Sequence, residues 1–414
     1  MRGGRPSYME YCAEQYQGEG AAMGVNGWRV ADSDMHLMEP PDLWTRYIDP
    51  AWRHAAPMGL SELQRDMRVR VKNHNLTRTG KVRANPVVAT VGWKPQQSSA
   101  YAPAEARGWD SVSQLEAMDA EGLDVAVLFP SRGLFVLGLD SAEQMGTDGL
   151  EPEFASAIAR AYNDWLHDFC AEDPNRLLGA GLLAPHDIDA AITETRRCVE
   201  ELGFKTVMLY PGCVNRRAWH DPCYDPLWRE CERLGVPISF HGGGQNYLRP
   251  DFSLEIFDTM MMWHTFGQPL GIMAVTVSFA GGGVLQRFPN LRVGLLEGNC
   301  GWAPWLLQRL DEHWEWLGSQ EAPDLDRAPS EYFRTNCYLS VESDETTAKY
   351  FIDWFGDDNL VFSTDYPHGD SKYPLAVANF LKLPISEESK KKILWDNWAR
   401  LYGLTALPSG AAGS

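Results

Sequence analysis

The chain has 414 residues, 44% of them apolar and 22% charged, and carries a formal net charge of -19. That acidic surplus and the absence of any Lys/Arg run argue against nucleic acid or an anionic membrane surface as a partner, and no stretch of about 18 apolar residues is present to span a bilayer. Eight scattered cysteines without a C-x-x-C pair (Cys12, Cys170, Cys198, Cys213, Cys223, Cys231, Cys300, Cys337), in a chain long enough to bury a large core, are expected as reduced thiols in a cytoplasmic protein.

Residues 1–26 are Gly-rich and polar, with acids and no apolar h-region. They are expected to form an arm on the surface or on a neighbouring subunit, not a signal peptide. Residues 28–34 then read as a short apolar strand that delivers Asp34 and His36 at its C-terminal end. Residues two apart in a strand share a face, so both side chains can reach one point in space. Asp32 lies on the same face and is expected to support a ligand without binding the ion itself. From 45 to 110 no clean period of 2 or 3.6 appears; a long irregular connection leaving that strand is expected as a lid over the site.

Regular alternation follows, with strands at 123–130, 177–185 and 205–211 and helices at 153–172, 188–202 and 225–234. The fifth strand runs from Gly235 and ends at His241, where Gly242-Gly-Gly244 lets the backbone turn and approach a ligand closely. About 50 residues, more than one crossover helix needs, separate it from a sixth strand at 291–297. A helix at 302–317, a strand at 337–340, a helix at 345–355, a strand at 360–363 and a helix at 387–402 complete the chain. Eight strands alternating with helices predict an α/β fold, a (β/α)8 TIM barrel with long insertions after strands 1 and 5. It would form one catalytic domain over 27–405, with a flexible tail at 406–414. Catalytic groups of such a barrel sit at the C-terminal strand ends, where these motifs fall.

Asp34, His36, His241 and Asp365 each follow or end a short apolar strand. Together they make a mixed N/O set that suits one divalent ion, Zn²⁺, Mn²⁺ or Fe²⁺, and leaves room for water or substrate. Sixteen tryptophans are many for this length, and those in expected loops (Trp44, Trp93, Trp109, Trp219, Trp263) could line an apolar or aromatic pocket.

Three spaced motifs, Asp34-Met-His-Leu-Met-Glu-Pro-Pro-Asp-Leu-Trp44, the strand into His241-Gly-Gly-Gly, and Asp365-Tyr-Pro-His368, occur in this order. They resemble the amidohydrolase superfamily, in the amidohydrolase-related branch that includes aminocarboxymuconate-semialdehyde and resorcylate decarboxylases. The likeness runs from about residue 28 to residue 404. It implies that Asp34 and His36 are the first-strand ligand pair, with Asp where the family has His or Glu, and that His241 is the fifth-strand ligand. Asp365 would touch the metal and take a proton from bound water or substrate, and His368 would orient it or bind substrate. Residues 260–264, with His264, resemble the family's substrate-facing loop and helix. On the sixth strand, where the family's decarboxylases tend to carry His, this chain has Glu297, either a proton donor or a structural carboxylate paired with Arg. Lys205 sits at the start of the fourth strand, not at the end where binuclear members hold a carbamylated Lys, so one metal is expected.

The first reading of function is a mononuclear metal-dependent hydrolase of a small, aromatic or apolar organic acid, amide, lactone or activated C–C bond. In that reading His264, Glu297 or His368 protonates the leaving group. The alternative is a metal-dependent non-oxidative decarboxylase of an aromatic or enol-type acid, and the third is an inactive barrel that binds a partner. The expected partners are a small-molecule substrate and further copies of the chain, in a homodimer or higher homo-oligomer, with no nucleic acid and no membrane.

Overall fold

The computed structural model describes residues 24–62, 64, 69–72, 74–76, 95–137, 150–212, 214, 217–242, 257 and 259–404. The expected arm up to residue 23, the tail from 405, Trp93 and much of the expected lid lie outside the described residues. The strands are β1 (Ala31–His36), β2 (Met58–Gly59), β3 (Val69–Val71), β4 (His74–Leu76), β5 (Val125–Phe129), β6 (Leu177–Leu182), β7 (Thr206–Leu209), β8 (Ile238–His241), β9 (Val293–Leu296), β10 (Cys337–Val341) and β11 (Leu360–Phe362). Eight of them pair in the order β1-β5-β6-β7-β8-β9-β10-β11, every pair parallel. The ring closes where Ser33 Oγ donates to Phe362 O (2.6 Å), Asp365 N to Asp34 O (3.2 Å) and His36 N to Tyr366 O (2.6 Å). This is the (β/α)8 barrel expected from the alternation.

Its strands are short apolar runs because parallel strands are covered on both faces. The pleat decides which residues face the axis. A Cβ on Gly179 or Gly181 of β6 would stand 2.4 Å from Phe204 or 2.6 Å from Cys198 Sγ in the outer layer, so these two face outward and let helix and strand pack closely. Leu182, one residue on, therefore faces inward. Across β7 and β8, Thr206 Oγ1 and Ser239 Oγ meet at 2.9 Å inside the barrel, which puts Met208 and His241 on the interior side as well. Outside, the helix Pro152–Cys170 buries Phe154, Ile158, Tyr162 and Leu166, one stripe at helical spacing.

The stretch from 45 to 110 is more regular than its sequence suggests. It contains the antiparallel sheet β2-β3-β4 and the helix Pro95–Ala106. Strands of two or three residues are too short to show a period. The helix is rich in Ala, Ser and Gln, has Pro103 inside it and presents only Tyr101 and Ala104 as buried anchors among its described side chains, so no apolar stripe marks it. Tyr101 stacks on Tyr373 (5.3 Å between ring centroids) and meets Tyr366 edge-on (5.6 Å), beside Asp365.

Other boundaries move by a few residues. The first strand is Ala31–His36, not 28–34, since pairing with β5 continues to His36 opposite Phe129. The helix expected at 387–402 is divided into Glu387–Lys391, a wider turn at Lys392–Asp396, and Asn397–Leu401. The insertion after β8 holds the helix Met260–Thr276, N-capped by Thr259. Among the described residues no helix is long and apolar enough to cross a membrane, and the described cysteines are free thiols.

Candidate metal centre

Asp34 and His36 lie on β1 and His241 is the last residue of β8, all fully buried at the C-terminal mouth of the barrel. Glu297 follows β9 directly and Asp365 lies three residues beyond β11. Both hold left-handed backbone, with φ of 51° and 53°. Non-glycine residues rarely adopt that conformation, and where they do the strain is held by surrounding structure and clusters at functional sites.

His36 Nε2 stands 2.9 Å from His241 Nε2, and Asp34 Oδ1 lies 3.0 Å from His241 Nε2 and 3.5 Å from His36 Nε2. Asp365 Oδ1 is 3.5 Å from His36 Nε2. Ligand atoms about 2.0–2.2 Å from one ion are separated from each other by roughly 2.9–3.6 Å, so this spacing is that of a shared coordination sphere. The ring of His36 is oriented for it. Its Nδ1 lies 2.8 Å from Pro130 O, which can only accept, so Nδ1 carries the proton and Nε2 turns a lone pair to the centre.

The donor set also asks for a cation. Both carboxylate oxygens of Asp34 and Oδ1 of Asp365 are buried without a hydrogen bond from the described residues, a costly state for a lone carboxylate. Burial, followed by the charges of Asp370, Glu297, Glu342 and Asp34, pushes the Asp365 carboxyl well above the usual range. Burial, then Asp34 and Asp370, does the same to Glu342, just after β10. A divalent ion among these groups turns mutual repulsion into attraction. The residues present fit one such ion.

Supporting groups stand behind the cluster. Asp32 accepts from Asp34 N (2.9 Å), Thr364 N (3.3 Å) and the Thr364 hydroxyl, tying β1 to the segment that carries Asp365. Burial outweighs these bonds and pushes its carboxyl up to about 7. His368 Nδ1 lies 2.8 Å from Asp365 Oδ1, its Nε2 lies 2.8 Å from Ser131 Oγ, and its ring stacks on His36 at 3.9 Å. His264, half-buried on the helix Met260–Thr276, stands outside the converging groups. Burial raises the Asp370 carboxyl, but the charges of His264 and His368 outweigh it and hold Asp370 below its usual range. Lys205 lies just before β7, at the opposite end of the barrel from the cluster, as its place in the sequence implies.

Two groups carry no sequence signal. Ser131 is a single hydroxyl in the loop after β5, and Glu342 follows a strand without a ligand-type neighbour pattern. At the ends of β6 and β7 lies a small pocket lined by Leu134, Leu182, Leu183, Met208, Val214 and Trp219, with no charged side chain. Phe129, stacked on His241 at 5.5 Å, flanks the centre on β5, the strand next to β6.

The family described as Amidohydrolase matches residues 31–404. A 2-amino-3-carboxymuconate-6-semialdehyde decarboxylase of Dictyostelium discoideum is 27% identical over 305 residues, which is 72% of this chain and 77% of the relative. A gamma-resorcylate decarboxylase of Rhodococcus jostii is 31% identical over 268 residues, 61% of this chain and 79% of the relative. Among solved structures, a dihydroxybenzoic acid decarboxylase of a Polaromonas species, with bound manganese and the inhibitor 2-nitroresorcinol, superposes with a TM-score of 0.57 at 25% identity, over 71% of this chain and 86% of the other. With a barrel of this topology, a ligand set of this spacing and a family match that spans nearly its whole length, the chain belongs to the amidohydrolase family.

Proposed function

We propose that the protein is a metal-dependent, non-oxidative decarboxylase of an aromatic or enol-type carboxylic acid, with Asp34, His36, His241 and Asp365 holding one Mn²⁺ or Zn²⁺. The observation that supports this most is the pair of buried triads sharing His36, one with Asp34 and His241 and the other with Asp365 and His368, in a chain whose relatives are decarboxylases. The order of the two enzymatic readings drawn from the sequence is thereby reversed.

When bound, the ion polarises the substrate's carboxylate and adjacent hydroxyl oxygens. The chain's own groups do the rest. Phe129 and the apolar side chains at the ends of β6 and β7 supply the apolar side on which a ring would lie. The ring carbon gains a proton, a new C–H bond forms, and the C–C bond to the carboxylate breaks, its electron pair restoring the ring as CO2 leaves. Asp365, with Oδ1 2.8 Å from His368 Nδ1, is the group we assign to hold that proton at the mouth. Hydrolysis is the second reading, favoured by Glu297 where the resemblance leads one to expect an imidazole. For the homo-oligomer, support comes from exposed Trp305 and Trp316 on the helix Ala303–Glu321 and Tyr350 and Trp354 on the neighbouring helix Ala348–Phe355.

CO2 release from a panel of hydroxybenzoates by the Mn²⁺-loaded protein tests the reading, run beside amide and lactone hydrolysis. Stoichiometric CO2 with loss of the carboxyl group is expected. Turnover of amides or lactones with no CO2 from any acid would replace it with hydrolysis.

A further inference from the structure

From sequence, Glu297 is either a proton donor or a structural carboxylate. The geometry suits neither role as well as a third. Glu297 Oε2 lies 3.3 Å from His241 Nε2, inside the spacing that separates two ligands of one ion, while Asp34 Oδ1 lies 3.0 Å from the same nitrogen. On the other side of the cluster, Asp365 Oδ1 stands 3.5 Å from His36 Nε2. Each of the two carboxylates thus abuts one ligand histidine.

Their backbones match too. Both residues follow a strand end with φ near 50°, a conformation that non-glycine residues hold only where the surrounding structure fixes it. At Glu297 the turn is held from both sides. Its N donates to Ser340 Oγ at 2.9 Å, and at Gly298 a Cβ would stand 2.9 Å from the Ile272 side chain, so only glycine lets the loop press against the helix Met260–Thr276.

We propose that Glu297 is a fifth protein ligand of the metal, giving a set of two imidazoles and three carboxylates. The proposal rests on the metal-centre reading but not on the reaction. Three carboxylates make the set oxygen-rich, which favours a hard ion such as Mn²⁺ over the softer demands of Zn²⁺.

Metal binding without substrate tests it. Mn²⁺ and Zn²⁺ dissociation constants are measured by chelator competition on the full chain, with metal content by mass spectrometry and the Mn²⁺ EPR signal, for wild type, Glu297→Gln and, as reference for a lost ligand, Asp34→Asn. Circular dichroism establishes that each variant is folded. Glu297→Gln should weaken Mn²⁺ binding at least about tenfold, change the EPR signal and shift preference toward Zn²⁺. Wild-type Mn²⁺ affinity and EPR signal in Glu297→Gln, with kcat alone reduced, would overturn the proposal in favour of a proton donor. If Glu297→Gln does not fold, Glu297→Asp, which keeps the charge but shortens its reach, makes the same separation. Failure of the decarboxylase reading would appear only in CO2 release and leaves these titrations untouched.

Discussion

Ser131 Oγ lies 2.8 Å from His368 Nε2, across 237 residues of sequence, while the other nitrogen of that ring lies 2.8 Å from Asp365 Oδ1. The contact with Ser131 fixes how the His368 ring faces Asp365, whose Oδ1 takes no hydrogen bond from the described residues. Ser131 is thus a positioning residue that acts through His368. Ser131→Ala should lower kcat about 10- to 100-fold, a part of the range typical of proton-transfer groups, with KM and metal content near wild type. Steady-state kinetics with metal analysis checks this; an unchanged kcat would leave the hydroxyl a packing feature.

Removing the ion should cost both activity and stability. On the proposed ligand set the metal would bind only the folded arrangement of Asp34, His36, His241 and Asp365, so occupancy at a hundred times the dissociation constant would stabilise by about 2.7 kcal/mol. A chelator should lower Tm by several degrees and abolish turnover, and added Mn²⁺ should restore both. A Tm indifferent to chelation would mean that these groups hold no ion.

Leu182 faces the interior at the small apolar pocket, and on the proposed reading a larger side chain there crowds a ring substituent. Leu182→Phe should lower kcat/KM for hydroxybenzoates with an apolar group about tenfold or more relative to the unsubstituted acid, the scale of one misplaced methylene or more. Equal effects on both compounds would move the substituent elsewhere.

Acid sensitivity should come in part from a site far from the mouth. Hydrogen bonds from Arg233 and then Arg196, each at 2.6 Å to Glu230 Oε1, lower the Glu230 carboxyl from 4.5 to about 2. A folded pKa below the unfolded one stabilises above about pH 4.5, and that contribution is lost as pH falls through about 2. Both arginines are half exposed, so solvent screening reduces its worth to about 1 kcal/mol. Glu230→Gln should lose that amount near pH 7 and flatten the acid limb between about pH 4.5 and 2, measured by urea unfolding against pH. An acid limb as steep as wild type would assign the effect to other carboxylates.

Local pattern was enough to make the barrel and its four ligand-type residues legible. Strand and helix periods alternate over short distances, and every strand of such a barrel ends at one mouth, so Asp34, His36, His241 and Asp365 could be placed together from their position after apolar runs. The small sheet and helix within 45–110 were not legible, because strands of two or three residues and a helix anchored by Tyr101 and Ala104 leave no period to read. Nor was the bond of Asp32 to Thr364, the hydroxyl of Ser131 beside His368, or the approach of Glu297 to His241. The first joins strands that meet where the barrel closes, the second loops after β5 and β11, and the third the ends of the paired neighbours β8 and β9. A chain's local composition sets which element forms and which face it buries, whereas the distance between two side chains tens or hundreds of residues apart is decided by how the strands shear and close around a common axis.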